Sequence, residues 1–135
     1  MLIRLSTAII LCCLIFASCK ENEQAKYEGV WEGTYSGDEV GTWKMHIDED
    51  GTSQGVVSPA NPNYRSFKFT GSVNGDGELS MSAAVFGSVA AYDAFLTESD
   101  LSGSWNFEEG TIVGAWSGAK KERENRFPYQ MLLNP

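Results

Sequence analysis

Residues 101–116 read LSGSWNFEEGTIVGAW. Leu101, Gly103, Trp105 and Phe107 alternate with Ser102, Ser104 and Asn106, a period of two that gives a strand one dry face and one wet face. Glu108-Glu109-Gly110 then places a glycine where a hairpin needs positive φ, and the second arm runs on through Gly114 and Trp116. In each arm a glycine stands two positions before a tryptophan. On a strand those two residues share a face, so the glycine leaves space beside its indole and lets the strand coil.

The same pattern continues outward from this hairpin. Trp43-Met45-Ile47 alternates with Thr42, Lys44, His46 and Asp48, Phe67-Phe69 with Ser66, Lys68 and Thr70, and Leu79-Met81-Ala83-Val85 with Glu78, Ser80, Ser82 and Ala84. Asp48-Glu49-Asp50-Gly51 and Asn74-Gly75-Asp76-Gly77 repeat the turn chemistry, with softer turn signals at 36–39 and 99–100. Ser58-Pro59-Ala60-Asn61-Pro62-Asn63 is a long loop whose prolines keep it out of a sheet interior. Eight strands follow, near 28–35, 40–48, 52–58, 65–73, 77–86, 90–98, 101–107 and 110–118, although AAYDAFL (90–96) would also suit a short helix. Short links between neighbours make this an all-β antiparallel meander.

Four Gly-x-Trp pairs occur: Gly29/Trp31, Gly41/Trp43, Gly103/Trp105 and Gly114/Trp116. They fall on the first two and the last two strands. In an open sheet they would form two clusters at opposite edges. In a small up-and-down β-barrel the first strand meets the eighth, all four indoles become neighbours, and the exposed edges vanish. Closure is therefore the expected form, with Trp31 and Trp116 close enough for aromatic contact.

Composition sets further bounds. The 135 residues carry a net charge of −8, and Arg4 is the one charged residue in 1–18, so without that segment the charge is −9. Residues 21–119 hold 16 Asp/Glu against four Lys/Arg, while 120–135 hold four Lys/Arg against two Glu. An acidic body repels phosphate backbones, which argues against nucleic acid as a partner. The tail KKERENRFPYQMLLNP (120–135) breaks the period; it could cover a barrel end or fray.

The N-terminus reads as an export signal. Arg4 supplies a basic start, and Ala8 to Ala17 is an apolar run of ten residues, too short to span a bilayer as a helix. The cysteines are Cys12, Cys13 and Cys19; the first two lie in the apolar core, so only Cys19 remains after cleavage at 18 and no internal disulfide can form. Phe16-Ala17-Ser18-Cys19 resembles the lipobox of bacterial lipoproteins, with Phe16 where an aliphatic residue is usual. The resemblance implies a diacylated Cys19 as the first mature residue and an outer-membrane anchor, on the periplasmic or cell-surface face. Lys20, Glu21 and Glu23 resemble the lysine-then-acidic export signal of Bacteroidetes lipoproteins, which implies surface display. Residues 19–26 would form the lipidated cysteine and a polar tether, whose seven residues after Cys19 reach at most about 24 Å. The β domain would occupy 27–119. Its eight-strand meander opening with Gly29-Val30-Trp31 resembles the calycins, the lipocalin and avidin superfamily.

Chemistry-bearing constellations are sparse. His46 is the single histidine, phased to the polar face between Lys44 and Asp48. A zinc site needs more His or Cys ligands than remain. Asp48-x-Asp50-Gly51 opens like a calcium loop but lacks a closing Glu, and Glu108-Glu109 lies in a turn. No G-x-S-x-G elbow or free thiol supplies a nucleophile. No catalytic residue, metal or cofactor is expected. The remaining candidate site is the barrel interior, lined by Trp31, Tyr35, Trp43, Phe67, Phe69, Met81, Trp105 and Trp116, with Tyr92 as a second phenol. Eight strands enclose a space that side chains fill or that holds one small ligand. Three roles remain: a non-enzymatic module binding a small apolar ligand or a partner protein, an inhibitor of hydrolases acting through its loops, or a structural subunit of an envelope complex.

Overall fold

The computed structural model describes residues 22–121. The proposed signal, Cys19, Lys20, Glu21 and the tail from 122 lie outside the described residues. Within them stand eight antiparallel strands: β1 (Gly29–Gly37), β2 (Gly41–Ile47), β3 (Thr52–Pro59), β4 (Phe67–Val73), β5 (Glu78–Val85), β6 (Ser88–Leu96), β7 (Asp100–Phe107) and β8 (Ile112–Lys120). Each pairs with its neighbours in sequence, and β1 closes on β8, with Tyr35 opposite Trp116 and Gly33 opposite Gly118. The barrel is closed, as the sequence implied. The segment 90–96 is strand rather than helix, because its alternation sends Ala90, Tyr92, Ala94 and Leu96 into the core. Pro59 ends β3 opposite Gly41, so the proline forms the strand's last residue instead of opening the loop.

Alternation divides each strand between core and water. Outward positions are mostly polar, among them Thr42, Lys44, His46, Gln54, Lys68, Thr70, Ser80 and Ser104, with Val56, Val89, Phe95 and Val113 exposed between them. Inward positions form two layers. Ile47, Val73, Leu79, Leu96 and Leu101 pack near one end, and Tyr35, Trp43, Phe69, Tyr92, Trp105 and Trp116 nearer the other.

That first end is plugged. A 3₁₀ turn (Glu23–Tyr27) lies across it and buries Tyr27. Trp31 Nε1 donates to the Tyr27 carbonyl (2.9 Å), Lys120 Nζ to that of Lys26 (3.1 Å) and Asn22 Nδ2 to that of Glu49 (2.9 Å). The polar stretch expected to run as a tether to Lys26 thus gives way to a fixed floor, with Glu23 exposed on it. The cause is Tyr27, whose side chain finds apolar cover and whose carbonyl satisfies a buried indole.

The glycines work across strands rather than along them. Two Gly-x-Trp arms running antiparallel set Trp105 opposite Gly114 and Trp116 opposite Gly103, while Trp43 faces Gly33. A side-chain carbon at position 114 would stand 2.5 Å from Trp105 Nε1, and one at 118 would stand 2.5 Å from Trp43 Cζ2. The indoles lean across the sheet and reach past the facing glycine: Trp105 Nε1 donates to Ser36 O on β1 (3.1 Å), and Trp116 Nε1 to Asp93 O on β6 (3.0 Å). The expected Trp31–Trp116 pair does not form. The β1–β8 register puts Lys120 opposite Trp31, and Trp116 meets Trp43 instead, with centroids 5.1 Å apart at 69°.

Candidate ligand-binding site

The second end stays open. Its rim is built by the β1–β2 turn, the loop 60–66, the β5–β6 turn at Phe86-Gly87 and the β7–β8 turn at 108–111. Below it lies a cavity of about 340 Å³, at the lower end of small-molecule pockets. Tyr35, Phe67, Tyr92, Trp105, Phe107 and Ile112 form its wall, with Val85 and Ala90; Glu39, Tyr64, Arg65, Phe86 and Glu108 stand at the mouth. A larger hollow of about 780 Å³ runs over the outer wall past Ser72, Glu78, Asp93 and Ser104. It is an open surface channel along the polar faces of the strands.

Of the eight interior residues singled out from the sequence, Tyr35, Phe67 and Trp105 line the cavity. Trp43, Phe69, Met81 and Trp116 are buried beneath it, and Trp31 lies lower still, hydrogen-bonded to the floor turn. Trp116 touches Tyr92 (5.5 Å) and Phe69 (6.1 Å), and Phe69 touches Tyr92 (5.4 Å), all near edge-to-face. This edge-to-face packing makes the cavity's base rigid.

Two phenols supply its polar atoms. Tyr35 and Tyr92 are 5% and 4% exposed. Among the described residues no hydrogen bond holds either hydroxyl, yet no polar side-chain atom is sealed without a partner, so both hydroxyls open into the cavity. Burial raises the Tyr92 phenol well above its ordinary range, with Tyr35 adding to the rise. Burial also raises Tyr35, helped by the nearby Glu39 carboxylate. Both groups therefore stay protonated at neutral pH and available as donors. Gly41 makes room for Tyr35: a side-chain carbon there would stand 2.6 Å from its hydroxyl.

The rim holds strained backbone. Phe86, Glu108 and Glu109 take φ values of 51°, 52° and 57°, a region that disfavours L side chains. Phe86 is 76% exposed, and its ring lies 5.9 Å from that of Tyr64 on the loop 60–66. The strands expected from the sequence put the β5–β6 link at 87–89, one residue late at its start and two at its end, because Phe-Gly is not a favoured primed turn.

The remaining candidates are ordinary surface groups. His46 pairs with Asp48 at 3.0 Å, both half exposed. Asp50 accepts from Thr52 N at 2.9 Å, which lowers its carboxyl pKa and closes a tight turn. Among the described residues no three His, Cys, Asp or Glu side chains gather as a metal site.

No protein-family model matches the sequence. A search of curated proteins finds no match either. Solved structures do match in shape. A redesigned beta barrel superposes with a TM-score of 0.53 at 8% identity, covering 75% of this chain and 96% of that one. A second redesigned beta barrel, bound to DFHBI, gives 0.52 at 12% identity over 76% and 100%. The fluorescent protein UnaG gives 0.42 at 9% over 71% and 96%. At such identities the likeness is one of fold alone, a closed eight-stranded β-barrel.

Proposed function

We propose that this chain is a lipid-anchored, non-enzymatic envelope lipoprotein whose barrel binds a small, mainly apolar ligand at its open end. The observation that carries the reading is the aromatic cavity into which two phenol hydroxyls open, held by no hydrogen bond among the described residues. A core filled by side chains would seal such hydroxyls only at a cost, whereas a cavity leaves them free to meet a ligand. That a redesigned barrel of like fold holds DFHBI supports the capacity of this architecture for a small molecule.

The anchor reading rests on Phe16-Ala17-Ser18-Cys19. Its physical consequence is orientation. The described chain enters at the plugged end, where Asn22 is tied to Glu49, so a lipid on Cys19 would hold the floor toward the bilayer and the mouth away from it. Ligand would then exchange with the aqueous side rather than with the anchoring membrane. Cys19→Ala should abolish fatty-acid labelling; equal label in mutant and wild type would end the anchor assignment. Alanine at Lys20, Glu21 and Glu23 should reduce protease accessibility on intact cells if those residues direct surface display.

The ligand itself is tested by organic extraction and mass spectrometry of protein purified from the cells that make it, compared with Ala90→Phe. Ala90 lines the cavity, and a benzyl group there fills it. A small molecule present with wild type and absent from the variant is expected; identical extracts would refute the reading. The exposed Phe86 and Tyr64 favour a second reading, in which the rim docks a partner protein such as a hydrolase.

A further inference from the structure

We infer that the ligand is a flat, uncharged, conjugated molecule whose inner end bears a carbonyl acceptor, received by the hydroxyls of Tyr35 and Tyr92. This rests on the pocket reading above and adds the ligand's chemical class. Shape is the first argument. Trp105 meets Tyr35 edge-on (5.8 Å, 85°) and stacks with Tyr92 (6.4 Å, 27°), and Phe67 and Phe107 join them on the wall. Aromatic walls of this kind reward a planar π-system through offset and edge contacts.

Polarity is the second. Below the rim the lining's polar side-chain atoms are the two phenol oxygens and Trp105 Nε1, and the indole is already engaged with Ser36 O. The strand backbone around them is committed to the closed ladder. Open to the cavity, the hydroxyls can meet water; a ligand that displaces it and brings an acceptor keeps a hydrogen bond there, whereas an all-hydrocarbon ligand seals them without a partner. A phenol can also accept, but the lining offers no buried carboxylate or amide to hold a strong donor such as an ammonium.

Charge is the third. At the mouth Glu39 and Glu108 face a single Arg65. A carboxylate entering the cavity would pass two like charges, lose its water and find only neutral donors within. A neutral carbonyl avoids all three costs. The same argument disfavours a fatty-acid head group directed inward.

The test uses two isosteric probes, acetylnaphthalene and ethylnaphthalene, which differ by a carbonyl in place of a methylene. Binding to the mature protein is followed by ligand-observed NMR and by quenching of tryptophan fluorescence. The ketone should bind roughly tenfold tighter than the hydrocarbon. In the Tyr35→Phe, Tyr92→Phe double variant, which keeps both rings, the two probes should agree within about twofold, with the hydrocarbon's affinity undiminished. Equal affinities in wild type would overturn the inference while leaving the pocket reading intact. A preference that survives in the double variant would also overturn it, since the acceptor would then have another partner. Binding of neither probe would remove the inference and the pocket together.

Discussion

Closure of the barrel predicts an energetic link between Trp43 on β2 and Trp116 on β8, which no open meander would allow. Their rings meet at 5.1 Å and 69°, both buried. Changing either to Phe removes an indole hydrogen bond, to Thr34 O (3.2 Å) or Asp93 O (3.0 Å), and leaves a small void. Together these losses should cost about 2–3 kcal/mol per substitution. The aromatic pair itself contributes roughly 0.5–1.5 kcal/mol beyond burial, so the double variant should lose less than the two single losses combined by that amount. Urea unfolding of a soluble form beginning at Lys20 measures all four corners of the cycle. The Trp31/Trp116 cycle is the control: without ring contact it should add within about 0.5 kcal/mol. Zero coupling between Trp43 and Trp116, or coupling that moves to Trp31, would refute the register and the glycine-crossing arrangement with it.

Glycine substitutions should separate crowding from strain. Gly114→Ala drives a carbon against the Ser36 carbonyl and 2.5 Å from Trp105 Nε1, and should cost about 3 kcal/mol in urea unfolding. Gly110→Ala has open space but a φ of +89°, and should cost only about 1 kcal/mol. High pH tests the phenols. Because folding raises the pKa of Tyr35 and Tyr92, the unfolded chain loses these protons first, near pH 10. Their stability contribution is thus full below about pH 10 and lost as pH rises through the folded values. The urea midpoint should begin to fall near about pH 10 and continue downward as pH rises toward the raised folded values, and Tyr92→Phe should flatten that fall.

The strands were legible because a half-buried sheet imposes a period of two that no helix shares, and the Gly-bearing turns punctuated it. Closure was legible from the tryptophans on the first and last strands. Their glycines misled in one respect: spacing within a strand shows which residues share a face, but only the register shows that Gly114 serves Trp105 and Gly103 serves Trp116. The candidate site was half legible for a related reason. Parity identified Trp43, Phe69, Met81 and Trp116 as inward, yet it could not tell which end of the barrel would be filled. That depends on residues 23–27, whose polar composition reads as a tether and whose single Tyr27 makes them a floor. Loop residues such as Glu39, Tyr64 and Arg65 carry no periodic signal, so they emerged only with the rim.

Function follows from this asymmetry between a plugged end and an open one. The barrel carries its rigidity in interlocked indoles and leaves its mouth lined by short turns and an aromatic pair. The most direct measurement is a titration of the mature protein with the neutral hydrophobic dye N-phenylnaphthylamine, in wild type and Ala90→Phe, with unfolding followed in parallel. Saturable binding at one site per chain in wild type, lost in a variant that remains folded, is the expected result. No binding to the wild type, or equal binding by both proteins, would contradict the claim that the open end is a ligand pocket.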